Sequence, residues 1–383
     1  MALAKKAAPY DLDVARDMQC AQEEFGAGIG KQIGDFLALR LAGASISFEE
    51  YLYFGLYARP RAEQASYMGD HRARAAFYLA NDLSDWYSAE DKLSFHEYVV
   101  GAGLPTPRLA AVAHEERAAD RAAHLKSADD VREFLGACAL PIFGKPARAS
   151  HGDGAVQFVR REGGALVTDA GKRCAVEEAA SEIDAFAQED GYLFQEALKP
   201  HPVISTMTKG RVATLRLLVW LDDDGPSVRE AVLRLPAGDN KVDNFRREGN
   251  LVAYVDQETG ALGAARRGVG VRMETFRAHP DTGAAIEGAT VPDFTQAKSV
   301  VEKAAALFPS LRLQSWDAAL TDAGTKLLEV NPGGNFNIIQ LARGRGAFDP
   351  EFRAFLARCL ARNPSGRGNA KALKEAKKLL KLK

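Results

Sequence analysis

Two acidic side chains and an amide near the C-terminal end of the sequence have the types and spacing to hold a hard cation. They are Asp317, Glu329 and Asn331, within LQSWDAALTDAGTKLLEVNPGGNFN (313–337). The segment reads as two strands around Asp322-Ala323-Gly324. A three-residue hairpin loop commonly ends in a left-handed glycine, and Gly324 stands at that place. This register pairs Thr321 with Thr325, Asp317 with Glu329 and Ser315 with Asn331. Side chains alternate along a strand, so Asp317, Glu329 and Asn331 share one face. Trp316, Ala318, Leu320, Leu328 and Val330 share the other. A four-residue loop would instead put the two carboxylates on opposite faces. Carboxylates that face each other across a strand pair repel when both are ionised. Mg2+ would remove that repulsion and fill its remaining positions with waters or phosphate oxygens, and Mn2+ is the other candidate. A solvated strand face with incidental charges is the plainer alternative. Pro332-Gly333-Gly334 follows at once, a turn that would let backbone approach a ligand.

A second group is Lys145 and the loop after it. Lys145 lies in the apolar strand segment LPIFGKPA (140–147), where a lysine needs a partner. Ser150-His151-Gly152-Asp153-Gly154 then separates it from AVQFVRR (155–161). A glycine loop between two strands can fold over phosphates and donate backbone N–H groups while the lysine supplies a point charge. A plain hairpin connection would look the same. GAGIGK (26–31) is no phosphate loop of the G-x4-G-K-[ST] kind, because the spacing is wrong and no strand precedes it. The protein-kinase signature set is missing as well.

These residues need elements to position them. Residues 11 to about 90 read as helices. Ser88-Ala-Glu-Asp91 has a capping-box pattern and predicts a helix through DKLSFHEYVV, ended by Gly101 or Gly103. RLAAVA (108–113) predicts a strand, and 114–128 is charged and alanine-rich. ADDVREFLGAC (128–138) predicts a helix, and YLFQEAL (192–198) a strand. Helical or irregular pieces are expected between 161 and 192. RVATLRLLVWL (211–221) and SVREAVLRLP (227–236) read as strands joined by a turn at Asp222-Asp223-Asp224-Gly225-Pro226. LVAYVDQETGALGAA (251–265) predicts another hairpin. FTQAKSVVEKAAALFP (294–309) and FDPEFRAFLARCLARN (348–363) predict helices. So many hairpins among helices predict an α+β chain rather than a doubly wound sheet.

The ordered set of segments resembles the ATP-grasp superfamily, most closely its sugar-transfer-associated branch. The carriers are DKLSFHEYVVGAGLPTPRLAAV, FGKPARASHGDGAVQFV, LFQEAL, VATLRLLV with EAVLRLP, KVDNFRREGNLVAYVDQETGAL, and WDAAL with LLEVNPGGNFN, over roughly residues 45 to 345. The resemblance implies that ATP lies between two antiparallel-rich α+β lobes, preceded by an N-terminal helical region. Lys145, with Lys92, Ser150, His151, Gly152 and Gly154, would contact the nucleotide phosphates. Gln195, Glu196 and Leu198 would read adenine from the interlobe linker. Arg216 and Arg234 would stabilise the phosphoryl group in transfer, although paired strand-surface arginines are another reading. Asp317, Glu329 and Asn331 would hold the metal, and Lys241, Asp243 and Asn244 would wall the acceptor site. His151 and Asp153 depart from the pattern of many relatives. The expected reaction phosphorylates a carboxylate, small or peptide-like, for attack by an amine. A phosphotransferase or a non-catalytic nucleotide-binding regulator would share the fold. The expected divisions are 1–90 helical, 91–138 a linker lobe, 139–200 the nucleotide lobe, 201–347 the metal- and phosphate-binding lobe, and 348–383 a closing helix with a basic tail.

Composition sets the outer limits. The 383 residues carry 50 Lys and Arg against 51 Asp and Glu, so no net field favours nucleic acid. Cys20, Cys138, Cys174 and Cys359 are too scattered for a zinc site and suit reduced thiols. MALAKKAAPYDLDVARD lacks an apolar signal core, and no apolar run is long enough to span a bilayer. A cytoplasmic protein is expected. The basic end AKALKEAKKLLKLK (370–383) is expected to be a solvated helix or a contact for an acidic partner.

Overall fold

The acidic turn before Gly225 folds one apolar strand back on another, and the sheet that carries the acidic and basic residues grows outward from that hairpin. The structure, a computed structural model, describes residues 12–149, 152–245 and 247–362, with Lys374 and residues 376–378 beyond them. The strands of this sheet are β8 (Thr214–Asp222), β9 (Gly225–Leu235), β10 (Leu251–Val255), β11 (Ala265–Arg267), β12 (Glu274–Phe276), β13 (Leu313–Thr321) and β14 (Gly324–Pro332). They lie in the order β12-β11-β10-β9-β8-β13-β14, antiparallel throughout. The other sheet holds β1 (Leu109–Ala113), β2 (Ala123–Leu125), β3 (Ile142–Pro146), β4 (Val156–Glu162), β5 (Ala165–Thr168), β6 (Arg173–Ala175) and β7 (Tyr192–Glu196). Its order is β2-β1-β7-β3-β4-β5-β6, with only β1 and β2 parallel. The α+β expectation holds.

Alternation along β8 explains how the larger sheet serves two purposes. Leu215, Leu217 and Val219 enter one apolar core with the helix Phe294–Ala305 and with Phe95 and Val99 of the helix Lys92–Gly101. Leu218 and Trp220 point the other way, into a core shared with the N-terminal helices between Val14 and Ala80 and the helices Phe336–Arg343 and Pro350–Arg362. Thr214 and Arg216 lie on that same second face, beyond the helical cover. One face of the sheet is therefore half roofed by helices and half left to a polar cleft.

Three local expectations are corrected. Ser88 does not cap the helix after it. The chain forms a short helix Trp86–Glu90, and Asp91 then caps Lys92–Gly101 by accepting from Ser94 N at 2.8 Å. Between 161 and 192 the chain makes β5 and β6 before the helix Val176–Ala187. The hairpin β13–β14 closes one residue tighter than expected, pairing Thr321 with Gly324 and Leu320 with Thr325. Gly324 takes the left-handed conformation at φ 86°. A bulge then absorbs the difference. Ala318 pairs with Leu327 and Asp317 with Glu329, which leaves Leu328 unopposed. The pairs Asp317–Glu329 and Ser315–Asn331 are as expected, but Leu327 takes the core position and Leu328 lines the cleft.

The chain crosses between the sheets at residues 104–108 and 197–201. Both crossings are pinned to the same hairpin. Pro105 O accepts from Leu327 N at 2.9 Å, and Thr106 Oγ1 donates to Leu327 O at 2.9 Å. Lys199 O accepts from Asp322 N at 3.1 Å, and His201 N donates to Leu320 O at 3.0 Å. No helix among the described residues is long and apolar enough to cross a membrane.

Candidate functional site

The two sheets face each other across a cleft of about 1230 Å³. Each described residue of the expected site lines it: Lys92, Lys145, Gly152, Gln195, Glu196, Leu198, Arg216, Arg234, Lys241, Asp243, Asn244, Asp317, Glu329 and Asn331, with Gly154 alone set behind the wall. Ser150 and His151 lie outside the described residues, as do most of the basic tail and the first eleven positions.

On the larger sheet the chemistry is concentrated in a buried ion cluster. Asp317 pairs with Arg216 across β13 and β8. Arg216 donates to Asp317 twice, Nε to Oδ1 and Nη2 to Oδ2, both at 2.6 Å. Arg234 on β9 adds Nη2 to Oδ2 at 2.9 Å. Asp243 completes the group. It accepts from Thr214 N at 2.7 Å and Thr214 Oγ1 at 2.6 Å, and stands 3.6 Å from Arg234. Burial alone would raise the pKa of Asp317, but Arg216 and Arg234 overcome it and hold the carboxyl well below its usual range. Burial raises Asp243 above its ordinary value against the pull of Arg234. Two cations thus balance two anions. The repulsion expected between Asp317 and Glu329 is relieved at Asp317 by the protein's own arginines, because β8 and β9 bring them beside it.

Glu329 is differently placed. It is half-buried; Asn331 Nδ2 donates to its Oε1 at 3.2 Å, and its carboxyl group also lies within hydrogen-bonding reach of Asp317. A carboxylate offers about four lone-pair sites, and arginines occupy three on Asp317, leaving one on Oδ1. Glu329 and the Asn331 Oδ1 atom are the freer oxygens. The donor set fits a magnesium ion held chiefly by Glu329 and Asn331, with Asp317 contributing at most one oxygen.

On the smaller sheet, Ile142 and Gly144 face the core while Phe143 and Lys145 face the cleft. The Lys145 ammonium has no hydrogen bond or ion pair among the described residues. Burial, and then the neighbouring Lys92 cation, push its pKa down to about 8, while Glu329 across the cleft pulls the other way. Lys92 is anchored rather than free: Nζ donates to Ala149 O at 2.7 Å, at the entrance to the glycine loop. Glu196 is also partly engaged, since its Oε1 accepts from Arg108 N at 3.0 Å and lies 3.8 Å from Lys326 Nζ.

The two loop glycines are not equivalent. Gly154 has φ +70°, and a Cβ there would meet Pro146 Cγ at 2.6 Å and Phe186 Cζ at 2.8 Å. Its carbonyl accepts from the Tyr192 hydroxyl at 2.9 Å. Gly152, at φ +75°, has open space around it. Gly154→Ala is expected to lower stability by roughly 2–4 kcal/mol, through clash and backbone strain together, and Gly152→Ala by about 1 kcal/mol. Thermal melts of both variants would check this, and equal melting temperatures would refute it.

Sequence reading missed several lining residues, among them Tyr53, Arg148, Lys172, Arg211 and Arg247. Arg211 holds the loop at 238–240 by donating to Gly238 O at 2.8 Å, Asn240 O at 2.9 Å and Asp281 at 2.9 Å. Neither its neighbours nor its spacing could have signalled this. Tyr53 comes from the helix Phe48–Tyr53, far outside the segments that carry the resemblance's site.

Two antiparallel sheets facing across a cleft lined by lysine, arginine and carboxylate define the ATP-grasp class. The family model for sugar-transfer associated ATP-grasp matches residues 73–353, and the chain belongs to that family. No curated protein matches it in sequence. Among solved structures, it is similar to an N5-carboxyaminoimidazole synthase from Aspergillus clavatus at 10% identity and TM-score 0.36, covering 66% of this chain and 46% of that one. It is similar to the D-alanine-D-alanine ligase from Coxiella burnetii at 10% identity and TM-score 0.43, covering 74% and 60%. The VanG D-Ala:D-Ser ligase from Enterococcus faecalis gives 14% identity and TM-score 0.39, covering 73% and 63%. The chain spans about half the length of the first solved structures it matches.

Proposed function

We propose that the protein is an ATP-dependent ligase that phosphorylates a carboxylate and passes the acyl group to an amine. The observation that carries this reading is the buried Arg216–Asp317–Arg234 cluster, facing Lys145 across a cleft large enough for a nucleotide and an acceptor. Phosphoryl transfer asks little covalent chemistry of a protein, and preorganised positive charge does most of the catalysis. Arg216 and Arg234 cannot relax into solvent, because Asp317 and Thr214 fix their guanidinium planes. Their remaining N–H groups face the cleft and stabilise negative charge on the group in transfer. Lys145 holds the nucleotide phosphates, with the glycine loop that Lys92 anchors closing over them. Gln195, Glu196 and Leu198 receive the adenine. Lys241 and Asn244 wall the acceptor end, while Asp243 orients Thr214 and Arg234 from behind. Magnesium, held by Glu329 and Asn331 with Asp317 Oδ1, would supply neutralising charge at the phosphates.

Purified protein with ATP and Mg2+ is expected to release ADP and free phosphate only when a carboxylate and an amine are both present. A coupled ADP assay run over carboxylates, with and without amines, measures this. A stable phosphorylated product without free phosphate would assign a phosphotransferase instead. Tight nucleotide binding with no ADP under any pairing would assign a regulator.

A further inference from the structure

Three side chains of the cleft have no part in the chemistry described so far. Tyr53, Phe245 and Ile338 all line it. They come from the helix Phe48–Tyr53, the loop between β9 and β10, and the helix Phe336–Arg343. One apolar cluster joins them: Phe245 is buried in it, and Tyr53 and Ile338 pack against its edge. The same cluster holds Val252 of β10, which stands directly opposite Arg234 of β9. Neighbouring strands lie about 4.8 Å apart, so the apolar cluster begins one strand away from Arg234.

Tyr53 is held from both ends of its helix. Ser47 and Glu50 form a capping box, in which Glu50 N donates to Ser47 Oγ at 3.1 Å and Ser47 N to Glu50 Oε2 at 2.7 Å. Tyr51 and Leu52 are wholly buried and fix the rotation of the helix. At its other end the helix sits on Gly270, between β11 and β12. A Cβ there would meet Leu52 O at 2.7 Å and Tyr53 Cα at 3.9 Å, so the helix is seated backbone to backbone. Residue 53 precedes the stretch that the family model matches, residues 73–353. Tyr53 is thus brought to the cleft from outside the matched fold.

We propose that Tyr53, Phe245 and Ile338 select the acceptor, and that the acceptor is a carboxylate with an apolar or aromatic body. This rests on the ligase reading above. Arg216 and Arg234 fix where the carboxylate meets the phosphoryl group, and Lys145 with the glycine loop takes the nucleotide on the smaller sheet. The body of the acceptor is then left to the apolar wall beyond Arg234. Apolar surface gains free energy by leaving water for such a wall, whereas a hydroxyl or a charge placed there loses its water without gaining a partner. Two other chemistries stand nearby. Asn335 and Asn337 line the cleft and offer amides, and Lys241 and Arg247 line it as cations. Lys241 already interacts with Asp169 of the smaller sheet, so part of that positive charge is answered by the protein itself.

Hydroxylamine serves as the amine in the test. Its nitrogen attacks the acyl carbon of an acyl phosphate, phosphate leaves, and a hydroxamate accumulates. With ATP and Mg2+, the full chain is expected to use 3-phenylpropanoate or 4-methylpentanoate at least tenfold better in kcat/KM than succinate or glucuronate. Tyr53→Ala is expected to raise KM for the preferred carboxylate at least tenfold while KM for ATP stays within twofold, and Tyr53→Phe to recover the loss. Ile338→Ala reads the same wall from another helix should Tyr53→Ala melt early. No hydroxamate from any carboxylate would overturn the ligase reading and this inference together. Hydroxamate formed best from succinate would assign recognition to the cations, and from glucuronate to the amides; either result overturns this inference alone. So would a carboxylate KM unmoved in both Tyr53→Ala and Ile338→Ala.

Discussion

Glu329→Gln is expected to melt as the wild type does and to lose turnover, whereas Asp317→Ala is expected to lose much of its stability as well. The two carboxylates are cross-strand neighbours, yet they stand in different surroundings. Asp317 is 4% exposed and neutralises two buried arginines. Removing one member of such a pair leaves uncompensated charge in the interior, at a cost of about 3–5 kcal/mol. Glu329 is half-buried and bonded to an amide, so a neutral isostere leaves its surroundings satisfied. Its loss falls on the metal and the phosphates, where a misplaced charge costs roughly 10²–10³ in turnover. The pH dependence follows in sign. The Asp317 carboxyl has its pKa lowered on folding, so the stability it confers is complete above about pH 4. That stability falls away as the pH drops toward the depressed value, and Asp317→Ala should lack this part of the acid transition. Thermal melts across pH, with and without Mg-ATP, beside an ATPase assay, measure all of this. An active and destabilised Glu329→Gln would refute the metal assignment.

Lys145→Met is expected to make the protein more stable and unable to hold nucleotide. The ammonium is largely buried with no partner among the described residues, and its pKa of about 8 lies below the ordinary lysine value. Between those two values the unfolded chain binds the proton more tightly than the folded one, so stability rises with pH there. Methionine fits the apolar stem and removes the buried charge, a gain on the order of 1–3 kcal/mol at neutral pH. The charge that burdens the empty cleft is the one that phosphate requires. A charged hydrogen bond contributes about 1.5–3 kcal/mol, so affinity for an ATP analogue should fall roughly 10- to 100-fold. In the wild type, affinity should weaken as the pH rises through about 8, while Lys145→Arg, cationic at every such pH, should not show that loss. Calorimetric titration at neutral and alkaline pH reads both effects. Unchanged affinity in Lys145→Met would remove Lys145 from the phosphate site.

Strong local chemistry made much of the fold legible. The aspartates before Gly225 marked the β8–β9 turn, and Gly324 marked the β13–β14 turn. Alternation then gave the faces of β13. Short strands without alternation were not legible. β6 spans three residues, Arg173–Ala175, and exists because β5 offers it an edge. The pairing of Asp317 with Glu329 was read correctly from a turn that is one residue tighter, since the bulge at Leu328 restores it. Nothing local announces a bulge, because both Leu327 and Leu328 suit an apolar face. The cleft residues came from the order of motifs, whereas their partners did not. That Asp317 is bound to Arg216 and Arg234 depends on three strands meeting across more than eighty residues of sequence.

The two crossings between the sheets are tied to one hairpin, and that hairpin carries Glu329 and Asn331. The hairpin is thus a fulcrum. If the smaller sheet swings to admit or release a nucleotide, displacement is least at the pivot, and the Lys92 bonds to Ala147 O and Ala149 O beside the glycine loop must part or carry the helix Lys92–Gly101 along. The carboxylate and amide of β14 keep their places through such a stroke, and the travelling parts are Lys145 and the loop.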